Sequence, residues 1–352
     1  MNRRTFLATG SAAAAAGLAG CRSLFQTRSA RAPPLVEDRP DAVYYPTHVD
    51  GMAMAGTAEV DEYGVAVTYT YPHRFWLVSS GEPNKVEVES DDSVHLMATV
   101  WDRETGTVVP NDNVEFSATK DGETVGRPMW PMLSQNMGVH AGDNVALPGE
   151  GTYDLEIDIG PVSVRRTGAF ADRLDEGATA SLTFEFSRSD LESLTFERLT
   201  DEAGDRGAVE PMSMDAVPVS SLPEPTEMPG TLLGGVEGGD AVFVVTRHDS
   251  PPEGIDVDGP YLAVSPRTPY NRYPLPLMTM SGTIDDDETL FDGALQATFD
   301  PDLGYHYGAA VDEVAGEIAL SVGAAPRIAR HEGYETAFFD FGEMRLDAEP
   351  VE

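Results

Sequence analysis

From Tyr63 to Phe186, apolar and polar residues alternate in short runs separated by turn residues. Helical spacing does not persist for any useful length in this region. Alternation at period two buries one face of each run and leaves the other to water, which is the pattern of a half-buried β-strand. The runs are Val65–Thr70, Phe75–Val78, Lys85–Val88, His95–Trp101, Val114–Ala118, Tyr153–Ile159 and Ala180–Phe186. In Tyr153–Ile159 the apolar set Tyr153, Leu155, Ile157 and Ile159 interleaves with Asp154, Glu156 and Asp158. Short strands with turns about every ten residues predict an all-β sandwich.

Between two of these runs lies GRPMWPMLSQNMGVHAGDNVALPGEG, residues 126–151, which holds Met129, Met132, Met137 and His140. Pro128, Pro131, Gly138 and Gly142 interrupt it, so it is expected to be a loop or a short irregular strand. Thioether and imidazole donors on a loop held by strands suit copper or iron; otherwise the methionines fill core gaps and His140 caps a turn. On the neighbouring run, Val94, Leu96, Ala98 and Val100 form one face and His95, Met97 and Thr99 the other. That second face either approaches the Met132/His140 loop or meets solvent. His48, Met52 and Met54 make a further soft cluster, equally readable as methionines packed on the first sandwich.

The second half repeats the first. Leu275-Pro276-Leu277-Met278-Thr279-Met280 is similar to Trp130-Pro131-Met132, His306-Tyr307-Gly308-Ala309 to His140-Ala141-Gly142-Asp143, and Gly316–Leu320 to Gly151–Leu155. Five residues beyond Pro161 and Pro326 stand Arg166 and His331. An acidic stretch, TIDDDETLFDG, is read as an insertion in the second copy. A repeat in fixed order implies two copies of one fold.

The sequence Pro131-Met132-Leu133-Ser134, then His140–Val145, then Gly151-Thr152-Tyr153 resembles the periplasmic Fe2+ transport protein family over about Val86 to Phe186. The resemblance implies an immunoglobulin-like β-sandwich that binds copper or iron through Met and His and pairs as a dimer. In that family a His-x-Glu pair stands where this chain has His95-Leu96-Met97, and Met97 in place of Glu softens the site towards Cu(I). A late family histidine falls near Val164-Arg165-Arg166, where the first copy has none; the second copy has His331. The expected ligands are therefore His95, Met97, Met132 and His140 in the first copy, and Met278 or Met280, His306 and His331 in the second, while His248 either joins that cluster or stands exposed at a strand end.

Arg3-Arg4-Thr5-Phe6-Leu7, an Ala-rich run and Leu18-Ala19-Gly20-Cys21 resemble a twin-arginine lipoprotein signal, with lipid on Cys21. Such a segment is excluded from fold reasoning. Cys21 is the single cysteine, so disulfides, zinc-thiolate, iron–sulfur and blue-copper centres are excluded from the folded part. The formal charge is −37, with lysine only at Lys85 and Lys120. That excess repels itself in dilute buffer and is screened in molar salt, the setting of an extreme halophile. Nucleic acid is excluded as a partner by the sign of the charge.

The expected organisation is a signal over 1–21, a disordered lipoprotein tether over 22–41, a first domain over 42–190, a linker over 191–239 and a second domain over 240–347. The fold class is all-β, two tandem immunoglobulin-like β-sandwich domains. No nucleophile elbow, phosphate-binding loop or two-histidine helix motif appears, so the chain reads as a binding protein and not an enzyme. The expectation is an exported protein, anchored to the outer face of the cell membrane through lipid on Cys21. It carries a copper or iron ion for a metal permease and pairs as an internal pseudo-dimer or homodimer. The competing expectation is an adhesion or scaffold lipoprotein whose Met and His are structural.

Overall fold

The computed structural model describes residues 31–79, 81–110, 113–215 and 217–349. Arg3, Arg4 and Cys21, and with them the expected signal, lie outside the described residues. Among those described, no helix is long and apolar enough to cross a membrane.

The first half runs β1 (His48–Asp50), β2 (Ala53–Val60), β3 (Tyr63–Thr70), β4 (Phe75–Ser79), β5 (Glu82–Val86), β6 (Val94–Asp102), β7 (Val114–Lys120) and β8 (Glu123–Ser134). It continues through β9 (Gly138–Val145), β10 (Gly151–Ile159), β11 (Arg165–Arg166), β12 (Ala178–Phe186), the short helix α1 (Arg188–Ser193) and β13 (Phe196–Arg198), which pairs with β1. The second half holds β14 (Thr231–Gly238), β15 (Ala241–His248), β16 (Tyr261–Arg267), β17 (Thr279–Asp285), β18 (Thr289–Asp300), β19 (Gly304–Ala310), β20 (Glu317–Ala324), β21 (Ala329–Arg330) and β22 (Met344–Asp347).

Strand order in the first half is β12-β10-β7-β8-β9-β6-β3-β2, and in the second β22-β20-β17-β18-β19-β16-β15-β14, so the halves match strand for strand. The result is two immunoglobulin-like β-sandwiches in tandem. In β10 the alternation works as the sequence dictates: Tyr153, Leu155, Ile157 and Ile159 are buried and Thr152, Asp154, Glu156 and Asp158 exposed. Each such side chain removed from water contributes about 1.5–3 kcal/mol. One continuous apolar core runs from Val43 in the first half to Met344 in the second.

The stretch expected as a loop or a short irregular strand is a hairpin of two full strands, β8 and β9. The prolines do not end β8 because they stand where it changes partner. It pairs with β7 as far as Met129 and with β9 from Trp130 onward. A strand that passes from one sheet to the other bends at that corner, and Pro128 and Pro131 flank the bend. In the second half β18 passes from β17 to β19 between Leu295 and Gln296. The acidic stretch read as an insertion is accordingly the β17–β18 hairpin, the counterpart of β7–β8.

The two halves exchange short strands. β21 of the second half lies parallel to β8 and antiparallel to β4, while β11 of the first half lies parallel to β18. Between them Asn271 Nδ2 and Tyr273 Oη both donate to the Gln135 carbonyl at 2.9 Å. Residues 31–41, expected as part of the tether, are laid on the fold: Arg31 sits 3.8 Å over the Tyr71 ring and Arg39 pairs with Glu335 at 3.2 Å. The span 191–239, expected as a linker, contains β13 and the whole of β14.

Candidate metal centre

β6 and β9 are adjacent and buried on both faces nearly throughout, so the His95/Met97/Thr99 face is not a solvated one. The β3–β4 connection and the segment after β21 cover it. β3 ends at Thr70, directly opposite His95, and the chain then turns back over β6, bringing His73 across the sheet. From the other half, β21 runs alongside β8 with Ala329 opposite Met132, and its direction carries His331 to the same place.

Four of the seven histidines thus converge: His73, His95, His140 and His331. Ring centroids are 4.1 Å apart for His73 and His95, 4.7 Å for His73 and His331, 5.5 Å for His95 and His331, and 5.2 Å for His140 and His331. His73, His95 and His331 offer ligand nitrogens that all lie within 4.8 Å of one another. Met132 Sδ stands 3.3 Å from His331 Nε2. Met97 is buried and lines a cavity of about 80 Å³ with His73, His331 and Arg74. That volume well exceeds the roughly 10–15 Å³ that one water needs on the same measure.

The ring orientations are set by partners on the far nitrogens. His95 Nδ1 donates to Asn144 Oδ1 at 2.9 Å, and the Asn144 amide in turn holds the backbone of His73, donating to its carbonyl at 2.9 Å and accepting from its N–H at 3.3 Å. His140 Nδ1 donates to the Gly138 carbonyl at 3.0 Å. Each of these bonds places the proton on Nδ1 and leaves the Nε2 lone pair free, as second-shell partners of metal-binding histidines do. The Nε2 atoms of His73, His95 and His140 are buried and make no hydrogen bond. Buried ring nitrogens without partners cost free energy unless something satisfies them, and a cation fits them. Gly142 leaves the room: a Cβ there would lie 3.1 Å from both His95 Nε2 and Met132 Sδ.

Burial lowers the basicity of all four rings, bringing His95 down to about 3 and His140 to about 4, with His73 and His331 also well below the usual value. Neighbouring imidazoles add to the effect for His73 and His331. Two carboxylates line the same cavity, Glu332, engaged with Arg74 at 2.5 Å and with the Thr47 N–H, and Asp50, 3.4 Å from His48 Nε2, and neither joins the group of ligand atoms. The donor set is therefore neutral nitrogen and sulfur, which favours a soft or borderline ion over a hard one.

The expected second cluster does not form. His331 belongs with the first-half residues, not with His306. His306 is fully buried with both nitrogens partnered, Nδ1 to the Gly304 carbonyl at 3.1 Å and Nε2 to Tyr261 Oη at 3.0 Å. Met278 and Met280 lie in the apolar core. His248 Nε2 is bonded to Thr246 Oγ1 at 3.2 Å. The sequence match had aligned Met278 and Met280 with Met132, but register places Thr298 opposite His306, as Met132 is opposite His140. His73 was missed because it lies in a turn and carries no periodic signal. Asn144 was legible only as part of the His140–Val145 motif.

Residues 52–189 match the family model described as Fe2+ transport protein, and residues 226–347 match one described as a domain of unknown function (DUF7350). No curated protein matches the chain. Among solved structures, a copper-bound variant of FetP from uropathogenic Escherichia coli is 20% identical, with 39% of this chain and 92% of that one covered and a TM-score of 0.31. The copper-reconstituted P19 protein from Campylobacter jejuni is 15% identical, with 40% and 96% covered and a TM-score of 0.27. The matched segment of the first model contains His73, His95, Met132 and His140, while His331 falls in the second. Over residues 52–189, less than half of its length, the chain is thus similar to the Fe2+ transport protein family.

Proposed function

We propose that this chain is an exported, lipid-anchored protein that holds one copper or iron ion and assists its uptake or handling, passing it to a membrane permease. The observation that carries the reading is the group of His73, His95 and His331, whose ligand nitrogens lie within 4.8 Å of one another beside the Met132 thioether and the His140 ring, with the Nε2 atoms of His73, His95 and His140 buried and unpartnered. Neutral imidazoles with a thioether and no carboxylate suit Cu(I) best among the candidates. The family match of residues 52–189 supports iron or copper as the class of cargo. The fused halves act as the two partners of an internal pseudo-dimer, in which the second supplies His331. Anchoring rests on the sequence signals Arg3-Arg4 and Leu18–Cys21.

The test is an anaerobic titration of the purified protein in molar salt with Cu(I), Cu(II) and Fe(II). The expected result is one Cu(I) per chain, bound more tightly than either divalent ion, and lost when His140→Ala and His331→Ala are combined. A folded wild-type protein that binds none of the three ions would refute the reading and leave the adhesion alternative.

A further inference from the structure

Register makes the halves comparable residue by residue. On the strands that build the centre, 261 − 95, 298 − 132, 306 − 140 and 308 − 142 all equal 166. Tyr261 pairs with Ala310, four positions beyond His306, as His95 pairs with Asn144, four beyond His140. On the exchanged strands, His331 N–H donates to the Leu133 carbonyl and Thr167 N–H to the Phe299 carbonyl, each at 3.1 Å. The second half therefore has Tyr261 where the first has His95, Thr298 for Met132 and Thr167 for His331. It keeps His306 for His140 and Gly308 for Gly142.

Into that cradle reaches Arg165, carried there by the exchanged strand β11. Its Nη2 donates to Thr298 Oγ1 at 2.8 Å, to Tyr261 Oη at 3.2 Å and to the Gly308 carbonyl at 3.4 Å. Nε also reaches Thr298 Oγ1 at 3.1 Å, and Nη1 reaches Gln296 Oε1 at 3.0 Å. Two of the groups it touches, Tyr261 and Thr298, stand at the positions of the first centre's His95 and Met132, and Gly308 stands at that of Gly142. Soft donors have been replaced by oxygens, which suit a guanidinium's fixed fork of N–H groups.

We propose that the second half is a latent copy of the metal centre, closed by the Arg165 guanidinium acting as a built-in cation, and that clearing Arg165 and restoring the lost donors opens a Cu(I) site there. The inference rests on the reading of the first centre as a metal site. It further requires that the native second half bind no ion.

The experiment uses the full chain with the first centre disabled by His140→Ala and His331→Ala, titrated anaerobically with Cu(I) in molar salt. This parent is expected to bind none; one ion retained in the second half would overturn the proposal. Adding Arg165→Ala, Thr167→His, Tyr261→His and Thr298→Met is expected to give one Cu(I) per chain and a rise in Tm on loading. A folded variant with no gain over its parent overturns the proposal. Should the fourfold variant not fold, Tyr261→His alone is compared with Tyr261→His plus Arg165→Ala, both of which leave the Thr167–Asp300 hydrogen bond in place. The pair is expected to bind Cu(I) at least tenfold more tightly than the single, and equal affinities overturn the closing role of Arg165. A wild-type chain that binds no Cu(I) refutes the function read from the first centre, while the gain measured over the parent still decides the latent copy.

Discussion

At the scale of single residues, Asn144 does the most for its size. One amide fixes the His95 tautomer and pins the turn that carries His73. Asn144→Ala should leave the strands intact and weaken Cu(I) binding by roughly 10–100-fold, the usual cost of losing a second-shell partner; a competition titration against a Cu(I) chelator measures it. His306 illustrates the opposite fate of a buried imidazole. Burial pushes it down to about 4, against about 6.5 in an unfolded chain. Because its folded value is the lower one, the unfolded state binds the proton more readily. The stability tied to neutral His306 is whole above about pH 6.5 and is lost as pH falls towards about 4, at up to roughly 1.4 kcal/mol per unit. Denaturant melts between these limits should show a shallower loss for His306→Gln than for the wild type.

At the scale of elements, β10 was legible because water sits on one of its faces, so alternation records the fold directly. β8 was not, since prolines that would break a central strand are harmless at a corner where the strand changes partner. The Met132/His140 pairing was written in local sequence, as neighbours across one hairpin. The contribution of His331 was not, because it depends on which sheet a two-residue strand joins some 200 residues away. The same blindness let Met278 and Met280 pass as ligands, when both are core residues, Met280 in β17 and Met278 just before it, and β17 matches β7 rather than β8. β21 itself is held by Arg330, buried, 4.1 Å over the Phe339 ring and donating to the Ala337 and Pro326 carbonyls. Arg330→Ala leaves those carbonyls without their donor, and should cost about 2–4 kcal/mol of stability. Loosening β21 should also lower Cu(I) affinity. Thermal melts with and without metal measure both, and an unchanged affinity would show that β21 does not position His331.

At the scale of the molecule, the apolar core is continuous between halves and the ligands come from both. Unfolding of either half should therefore abolish the centre. The expected melt is one cooperative transition that moves upward as a whole on loading, by about 2.7 kcal/mol at a hundredfold excess over Kd. Two calorimetric transitions, only one of them shifted by Cu(I), would contradict this.

The exchange of β11 and β21 has a consequence for how the centre behaves on dilution. A ligand delivered by a separate molecule is lost once the concentration falls below that of assembly. Here His331 is tethered to the same chain, at an effective concentration that covalent linkage fixes in the millimolar range or above. This donor stays in place at any abundance of the protein, so affinity for the ion should be the same at nanomolar as at micromolar protein. At low abundance of the protein, an ion then remains captured without waiting for a second copy to arrive.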